Sequence, residues 1–429
     1  MIWKLSYRLI HAVSSAQFFI ARRASRAGLF VLGGIIVSGA LGIDTTQTTA
    51  YQIFTLLAAL ALVALASLPF IRVPVTAQRL LPRAVTAGEP FSYLIKLRNG
   101  GPSPIGDVVL VENLADPRPP LEAFRGLRFP TYRGFWRLTS SRQVGDIPEA
   151  AVPGIAAGGE SGMRIQAHAL KRGVLHFEGI TIGRADPLGL FRSFASVAAH
   201  ENLLVLPRRY PLPPLALPGS RKYQVGGVSL ASSVGDSEEF IGLRDYRPGD
   251  PLQRVHWKSY ARVGRPVVKE YQDEFFERHA LVLDTFGEEP ASASLEEGVS
   301  VAASFAYTID TQECLLDLLF VGDAPCTYTA GRGQLQPSAL LEALAGAQLR
   351  PNHGFGALRE SLMARRATLT SSILVLIGWD EQRRRLVNEL RVLDLPLLVM
   401  AVLNEPPADA PAWLHVLVPG RINEGLARL

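Results

Sequence analysis

The chain has 429 residues, 44 Lys and Arg against 39 Asp and Glu, and two cysteines. That length suits two or three domains. A net charge of +5 is too small to name a partner, and two cysteines exclude a disulfide framework or a cysteine metal cluster, which suits a reducing compartment. The mean hydropathy, +0.16, is high for a soluble protein and has a local cause.

Residues 1–26 carry five cations (Lys4, Arg8, Arg22, Arg23, Arg26) and no acid. Two apolar runs follow. Ala27 to Ile43 has no charge over 17 residues, and Tyr51 to Ile71 has none over 21. About 20 apolar residues span the hydrocarbon core of a bilayer. The second run fits well; the first is short and Gly-rich. Joined by DTTQTTA, the two read as a transmembrane helical hairpin over 27–71. A cleaved signal peptide is the rival for the first run, but its basic lead is long and no small-residue cleavage site precedes a mature start. Cations flank both outer ends (Arg72, Arg79 and Arg83 on the far side), and none lies in the link. The positive-inside rule then puts both termini and the remaining domains in the cytoplasm.

Residues 72–208 read as a β-rich, sandwich-like domain. Phe91 to Leu97 alternates apolar and polar before a turn at Asn99-Gly100-Gly101; further strands are expected at Asp107–Glu112, Gly173–Ile182 and Glu201–Pro207. The stretch 113–160 fits no element cleanly. Its aromatics Phe124, Phe129, Tyr132, Phe135 and Trp136 suit packing on the sheet, with the lipid interface as the other reading. Residues 209–234 read as a Pro/Gly/Ser-rich linker, because four prolines between Tyr210 and Pro218 preclude a helix or central strand.

Residues 235–429 form a motif segment and an α/β domain. In GDSEEFIGLRDYRPGDPLQRVHWKSYARVGRPVVKEY, Asp250 and Pro251 read as a helix start and Gly264 as its end. Arg254, Lys258 and Arg262 then fall on one helix face. With Arg244, Arg247, Arg265 and Lys269 they make seven cations against the acids Asp245 and Asp250. Downstream, apolar strands at Ala280–Asp284, Leu315–Val321, Ser372–Gly378 and Leu395–Leu403 alternate with helices. A Ser294/Glu297 capping box and Ser338 are the expected starts of two of these helices, and a third runs from Glu381 to about Leu393. This pattern predicts a mainly parallel sheet whose ligand chemistry lies at the carboxyl ends of strands, here Asp284, Asp323 and Asp380.

The motif Phe240–Glu270, with Asp186–Arg192 (DPLGLFR) preceded by Arg172-Gly173, resembles the hallmark of a bacterial family known as domain of unknown function number fifty-eight. The resemblance implies a multidomain architecture: an N-terminal transmembrane hairpin, a β-rich middle domain and a C-terminal domain similar to the von Willebrand factor A fold. It also implies a partner, a MoxR-type AAA+ ATPase, in the company of transglutaminase-like membrane proteins.

The von Willebrand A fold often holds a divalent cation on Asp-x-Ser-x-Ser. Here the loop reads Asp284-Thr285-Phe286-Gly287-Glu288, so both serines are lost. Asp284 and Asp380 remain as degenerate metal candidates, and a site without Mg²⁺ is expected. His256 beside Trp257 has no nucleophile in a recognisable elbow nearby, which argues against catalysis; Trp257 is expected to anchor the motif helix. The cationic face has a plain reading as a solvated surface; beyond that it reads equally as internal pairing, with Asp186 or Glu238-Glu239, or as docking of an acidic partner, with anionic lipid behind both. Partner-binding candidates are Arg244, Arg247, Arg254, His256, Trp257, Lys258 and Arg262. Aromatics are not interleaved with the cations as base-stacking platforms, so nucleic acid is not expected. Neither is nucleotide hydrolysis, since no Walker motif occurs. Cys314 and Cys326 read as small apolar side chains. The expectation is a scaffold or adaptor at the bacterial inner membrane, not an enzyme. The alternatives are a metal-assisted hydrolase of an envelope precursor or a purely structural membrane-complex subunit.

Overall fold

The computed structural model describes residues 2–41, 48–71, 73–106, 108–127, 129–213, 240–271, 277–287, 292–309, 311, 314–331, 335–351 and 354–429. They form two compact units, Met1–Arg208 and Arg209–Leu429. Most of the expected linker, Glu238-Glu239 and Glu288 lie outside the described residues.

The first unit begins with three helices: α1 (Ile2–Arg23), α2 (Arg26–Leu41) and α3 (Thr48–Ser67). The basic N-terminal segment is therefore helical, which its charge count alone did not reveal. Among the described residues, one helix is long and apolar enough to cross a membrane: Thr49–Phe70, 22 residues at mean hydropathy 2.4. Pro69 tightens its last turn to a 3₁₀ form over Leu68–Phe70. α2, at 16 residues, is shorter than a full span, so two full spans are corrected to one candidate span beside a shorter apolar helix. The two helices touch through small residues: a Cβ on Gly34 would meet Leu57 at 2.8 Å, and one on Gly39 would meet Phe54 at 3.3 Å.

The β region comprises β1 (Val75–Leu80), β2 (Ala84–Thr86), β3 (Pro90–Asn99), β4 (Val108–Leu114), β5 (Gly145–Asp146), β6 (Ala150–Val152), β7 (Glu160–Ala169), β8 (Gly173–Ala185) and β9 (Arg192–Leu206). They form two sheets, β1-β3-β7-β5 and β2-β9-β8-β4-β6. Alternate residues of both sheets (Ile95, Leu97 and Ile165 facing Leu110, Ile180 and Leu203) share one core. A buried ion pair lies within it. Arg79 donates to both carboxylate oxygens of Glu112 at 3.1 and 2.6 Å, and Tyr93 Oη donates to Glu112 at 2.8 Å. Burial first, then the Glu112 charge, pushes the Tyr93 phenol far above its ordinary range.

The stretch that fitted no element holds α4 (Leu121–Arg125) and α5 (Tyr132–Arg142) besides β5 and β6. Its aromatics divide. Phe124 and Phe135 are fully buried and pack against Tyr7 of α1, while Phe129, Tyr132 and Trp136 are exposed.

The DPLGLFR turn between β8 and β9 seats the apolar helices. Asp186 accepts from the amides of Leu188 and Phe191 at 3.1 and 2.7 Å. Its lone pairs hold its own turn. Ser25 donates to Gly189 O at 2.6 Å, and Leu190 and Phe191 pack with Ala24, Ala61 and Ala64.

In the second unit, β10 (Phe240–Asp245) and β11 (Val267–Tyr271) form a hairpin enclosing α6 (Trp257–Val263). The main sheet has the order β14-β13-β12-β15-β16-β17, from β12 (Glu277–Leu283), β13 (Cys314–Val321), β14 (Pro325–Ala330), β15 (Ser371–Leu376), β16 (Leu397–Val402) and β17 (Leu414–Leu417). All neighbours run parallel except β13 and β14. The other helices are α7 (Ser292–Thr308), α8 (Pro337–Ala345), α9 (Phe355–Arg365), α10 (Glu381–Val392) and α11 (Ile422–Leu426). α9 and α10 cover one sheet face through Leu358, Leu362, Leu386 and Leu390. α7 covers the other, where a Cβ on Gly298 would meet Ile377 at 3.0 Å.

Two expected helix starts are corrected. α7 begins at Ser292, and Glu297 accepts from the Tyr210 hydroxyl instead of closing a capping box with Ser294. α8 begins at Pro337, whose fixed φ suits a first helical turn, so Ser338 lies inside the helix. Asp380, by contrast, caps α10 by accepting from Arg383 N at 3.0 Å.

A Cβ on Gly28 would stand 2.1 Å from Leu190 O, whereas one on Gly33 meets nothing within 4 Å. Gly28→Ala should therefore lower the melting temperature of the detergent-solubilised chain, by the equivalent of about 1–3 kcal/mol. Gly33→Ala, which gains helix propensity without a clash, should leave it unchanged or raise it.

Candidate functional site

Two arrangements draw on the residues singled out by the sequence. The first lies where β12 and β15 end. Asp284, just past β12, is fully buried. Its Oδ1 accepts from Phe286 N at 2.9 Å, and its Oδ2 accepts from Ile377 N at 3.1 Å and from Arg383 Nε at 2.6 Å. Arg383, 3 % exposed, donates through Nη1 to Asp380 and through Nη2 to Phe286 O, and lies 5.1 Å from the Phe355 ring centroid. Burial disfavours the guanidinium charge, but Asp284 and then Asp380 outweigh it and raise the Arg383 pKa.

The residues present do not fit a divalent cation, because a guanidinium joins the two carboxylates that would ligate it. No group of three or more His, Cys, Asp or Glu able to hold a metal ion occurs among the described residues. Thr285 turns away and donates to Val321 O at 2.8 Å. Asp323 is exposed and pairs with Arg350 at 2.7 Å. Arg383 escaped the sequence reading. Its only local signal is the Asp380-x-x-Arg383 spacing at a helix start; its main partner lies 99 residues away.

A chain Ser371–His279–Glu277, buried at Ser371 and His279 and half-exposed at Glu277, is a further arrangement: Ser371 Oγ lies 2.7 Å from His279 Nδ1, and Glu277 lies 3.5 Å from Nε2. Burial lowers the His279 pKa. Ser371 is 1 % exposed, so its hydroxyl is structural and out of reach of a substrate. Cys314 is buried as a small apolar side chain, while Cys326 is half-buried on the edge strand.

The second arrangement is the hairpin module. Asp250 does not cap the long helix expected from Pro251. It accepts from Arg247 N at 2.8 Å and from both Nη atoms of Arg244 at 2.7 Å, closing the turn at Gly249, whose φ is +107°. A 3₁₀ turn follows at Leu252–Arg254, and α6 proper starts only at Trp257. The interruption comes from Val255, 5 % exposed, which bridges to Val268. Arg254 is thereby separated from Lys258 and Arg262, which alone share a helix face. Gly264, at φ +72°, ends α6 as expected.

Internal pairing accounts for part of the charge: Arg244 is held by Asp250, and Arg265 reaches Asp245 at 3.2 Å. Arg247, Lys258 and Arg262 are exposed. His256 is half-buried, with Nδ1 2.7 Å from Ser259 Oγ at the helix start. Trp257 does not anchor the module. It is 62 % exposed, edge-on to Tyr260, and Leu252, Val263 and Leu243 are exposed nearby in sequence. Val255, Val267 and Val268 hold the module instead.

The fold and these arrangements define a two-unit protein, one unit of two β-sheets and one open α/β sheet, with exposed aromatic and cationic side chains on a hairpin at the start of the second. The family described as "Protein of unknown function DUF58" matches residues 242–404, from that hairpin into the last strands of the parallel sheet. Among curated proteins the chain is similar to "Uncharacterized protein YeaD" of Bacillus subtilis (strain 168), 27 % identical over 151 residues, 34 % of this chain and 36 % of that protein. The chain thus spans about a third of the length of the curated relative it matches. Among solved structures, the CARDB domain of PF1109 from Pyrococcus furiosus aligns at TM-score 0.18 with 10 % identity, over 31 % of this chain and 94 % of that one. Salmonella alpha-2-macroglobulin aligns at TM-score 0.20 with 13 % identity, over 34 % and 8 %. Superpositions this loose carry no fold or function across.

Arg383→Ala leaves Asp284 buried without its cation, and the second unit should lose about 3–5 kcal/mol in denaturant unfolding. Asp284→Leu combined with Arg383→Met should recover most of that loss. The Arg244 guanidinium, and then the Arg247 amide, hold the Asp250 carboxyl down to about 2. Since the folded pKa is the lower one, the module's contribution is whole above about pH 4 and fades as pH falls through about 2. The Arg247 amide resonance should titrate with that low midpoint, and Asp250→Asn should abolish the titration.

Proposed function

We propose that this chain is a membrane-anchored scaffold or adaptor that docks an acidic protein partner on its hairpin module. The observation that carries the reading is the exposure of that module: Trp257, Tyr260, Val263 and Leu252 stand in solvent, and Lys258 and Arg262 are exposed on another side of the same short helix. Solvent-exposed Trp and Tyr on a rigid support are what binding hot spots are built from, and cations on the same helix suit an acidic partner. The support is rigid because Asp250 and Val255 fix its turn and its helix from inside.

The partner proposed from the resemblance is a MoxR-type AAA+ ATPase or its client. α3, with α2 beside it, would form the hairpin that holds the assembly at the bacterial inner membrane. The cationic flanks support, by the positive-inside rule, a cytoplasmic location for both termini and both units. The parallel sheet with Asp284 at the end of its first strand supports a von Willebrand factor A-like reading of the second unit. Arg383, seated between Asp284 and Asp380, favours binding over metal-assisted hydrolysis.

The purified chain should bind the neighbouring MoxR-type ATPase in at least one nucleotide state. Trp257→Ala should weaken binding about thirty-fold, as a hot spot of ~2 kcal/mol implies, with little change in melting temperature. Lys258→Glu with Arg262→Glu should slow association. Absence of binding in every nucleotide state would overturn the reading, and a collapse of stability in these variants would make the face architectural.

A further inference from the structure

We propose that α1 is an interfacial helix, lying in the headgroup layer of the bilayer with one face in lipid and the other clamped to the β-rich unit. The inference rests on the membrane-anchored reading above and adds a second membrane contact to it. Leu5, Leu9, Ala12, Val13 and Ala16 recur at the spacing of one helix face. All five are exposed, Leu5 and Leu9 at 71 % and 65 %. A contiguous apolar stripe held outward on a helix is not the scattered exposure of an ordinary surface.

The opposite face leaves no freedom to turn the stripe inward. Trp3 meets Phe124 with ring centroids 5.8 Å apart, and Tyr7 meets Phe124 at 5.6 Å and Phe135 at 6.3 Å. Tyr7 Oη donates to Pro119 O at 3.1 Å, and Arg118 Nη1 donates to Ser15 Oγ at 2.6 Å. Two neighbours identify the occupant as lipid. α1 ends at Arg23, and the apolar α2 begins at Arg26, so the helix that bears the stripe is followed directly by the membrane helices. Its borders match a headgroup layer: the exposed cations Lys4 and Arg8 on one side, and on the other Gln17, which meets Tyr132 at 3.2 Å beside the exposed Trp136. Apolar stripe, cationic rim and amphipathic aromatics are the composition of a helix lying in a membrane surface.

The test uses the full chain carrying Cys314→Ser and Cys326→Ser, reconstituted in phosphatidylethanolamine–phosphatidylglycerol vesicles. Single cysteines at Leu5, Leu9, Val13, Arg8 and, in α3, Leu62 are spin-labelled in turn. Collision with oxygen, which concentrates in lipid, is compared with collision with an aqueous nickel chelate. Labels at 5, 9, 13 and 62 should favour oxygen, and the label at 8 should favour nickel. If position 62 reports lipid while 5, 9 and 13 report water, the inference is overturned and the anchor stands. If 5, 9 and 13 are shielded from both reagents, a protein covers the stripe and the inference also fails. If position 62 reports water as well, the membrane reading fails and takes the inference with it.

Discussion

The second unit is organised around one buried cation. Removing a guanidinium from water is costly and is tolerated only when its donors are satisfied. Arg383 satisfies its donors with Asp284, Asp380 and the Phe286 carbonyl. In doing so it ties the end of β12 to the start of α10. Gly378 packs against the guanidinium, and Gly354 makes room for the Phe286 ring. The carboxyl ends of parallel strands are where open α/β sheets usually present ligand chemistry. Here that edge is spent on holding the fold together.

The exposed aromatic and cationic side chains of the second unit's start sit instead on the hairpin module. Its interior is polar and closed at one end, through Arg244 and Asp250, and apolar at the other, through Val255 and Val268. Both ends are satisfied locally, so Trp257 and Tyr260 are free to face outward. The same division of labour appears in the first unit. Phe124 and Phe135 fill the interior, while Phe129, Tyr132 and Trp136 of the same stretch stay outside. In both places an inner set of side chains fixes the backbone, and an outer set stands in solvent.

The parallel strands were legible because burial on both faces makes them almost wholly apolar, as in ILVL and LLVMAV. The edge strand β14 was not, since PCTYTA has one partner and mixed polarity. The cap signals misled where another group competed: Tyr210 took Glu297, and Pro337 set the helix start one residue before Ser338. The motif helix was read too long because Asp250-Pro251 is a sound local start, yet a tertiary contact at Val255 breaks the run. α1 is hard to read from sequence because five cations interrupt a segment whose apolar residues carry the helical spacing.

The sequence by itself determined the apolar segments near the N-terminus, a β-rich region followed by alternating strands and helices, and the clustering of cations around Trp257. These follow from local composition and periodicity, which need no partner to be read. Only the tertiary structure decided what those residues touch. It placed Arg383 on Asp284 across 99 residues, turned Asp186 inward to seat the apolar helices, and left Trp257 and the Leu5–Leu9 stripe outside. Each of these depends on which distant group supplies a hydrogen bond or fills a gap, and spacing along a chain carries no record of that.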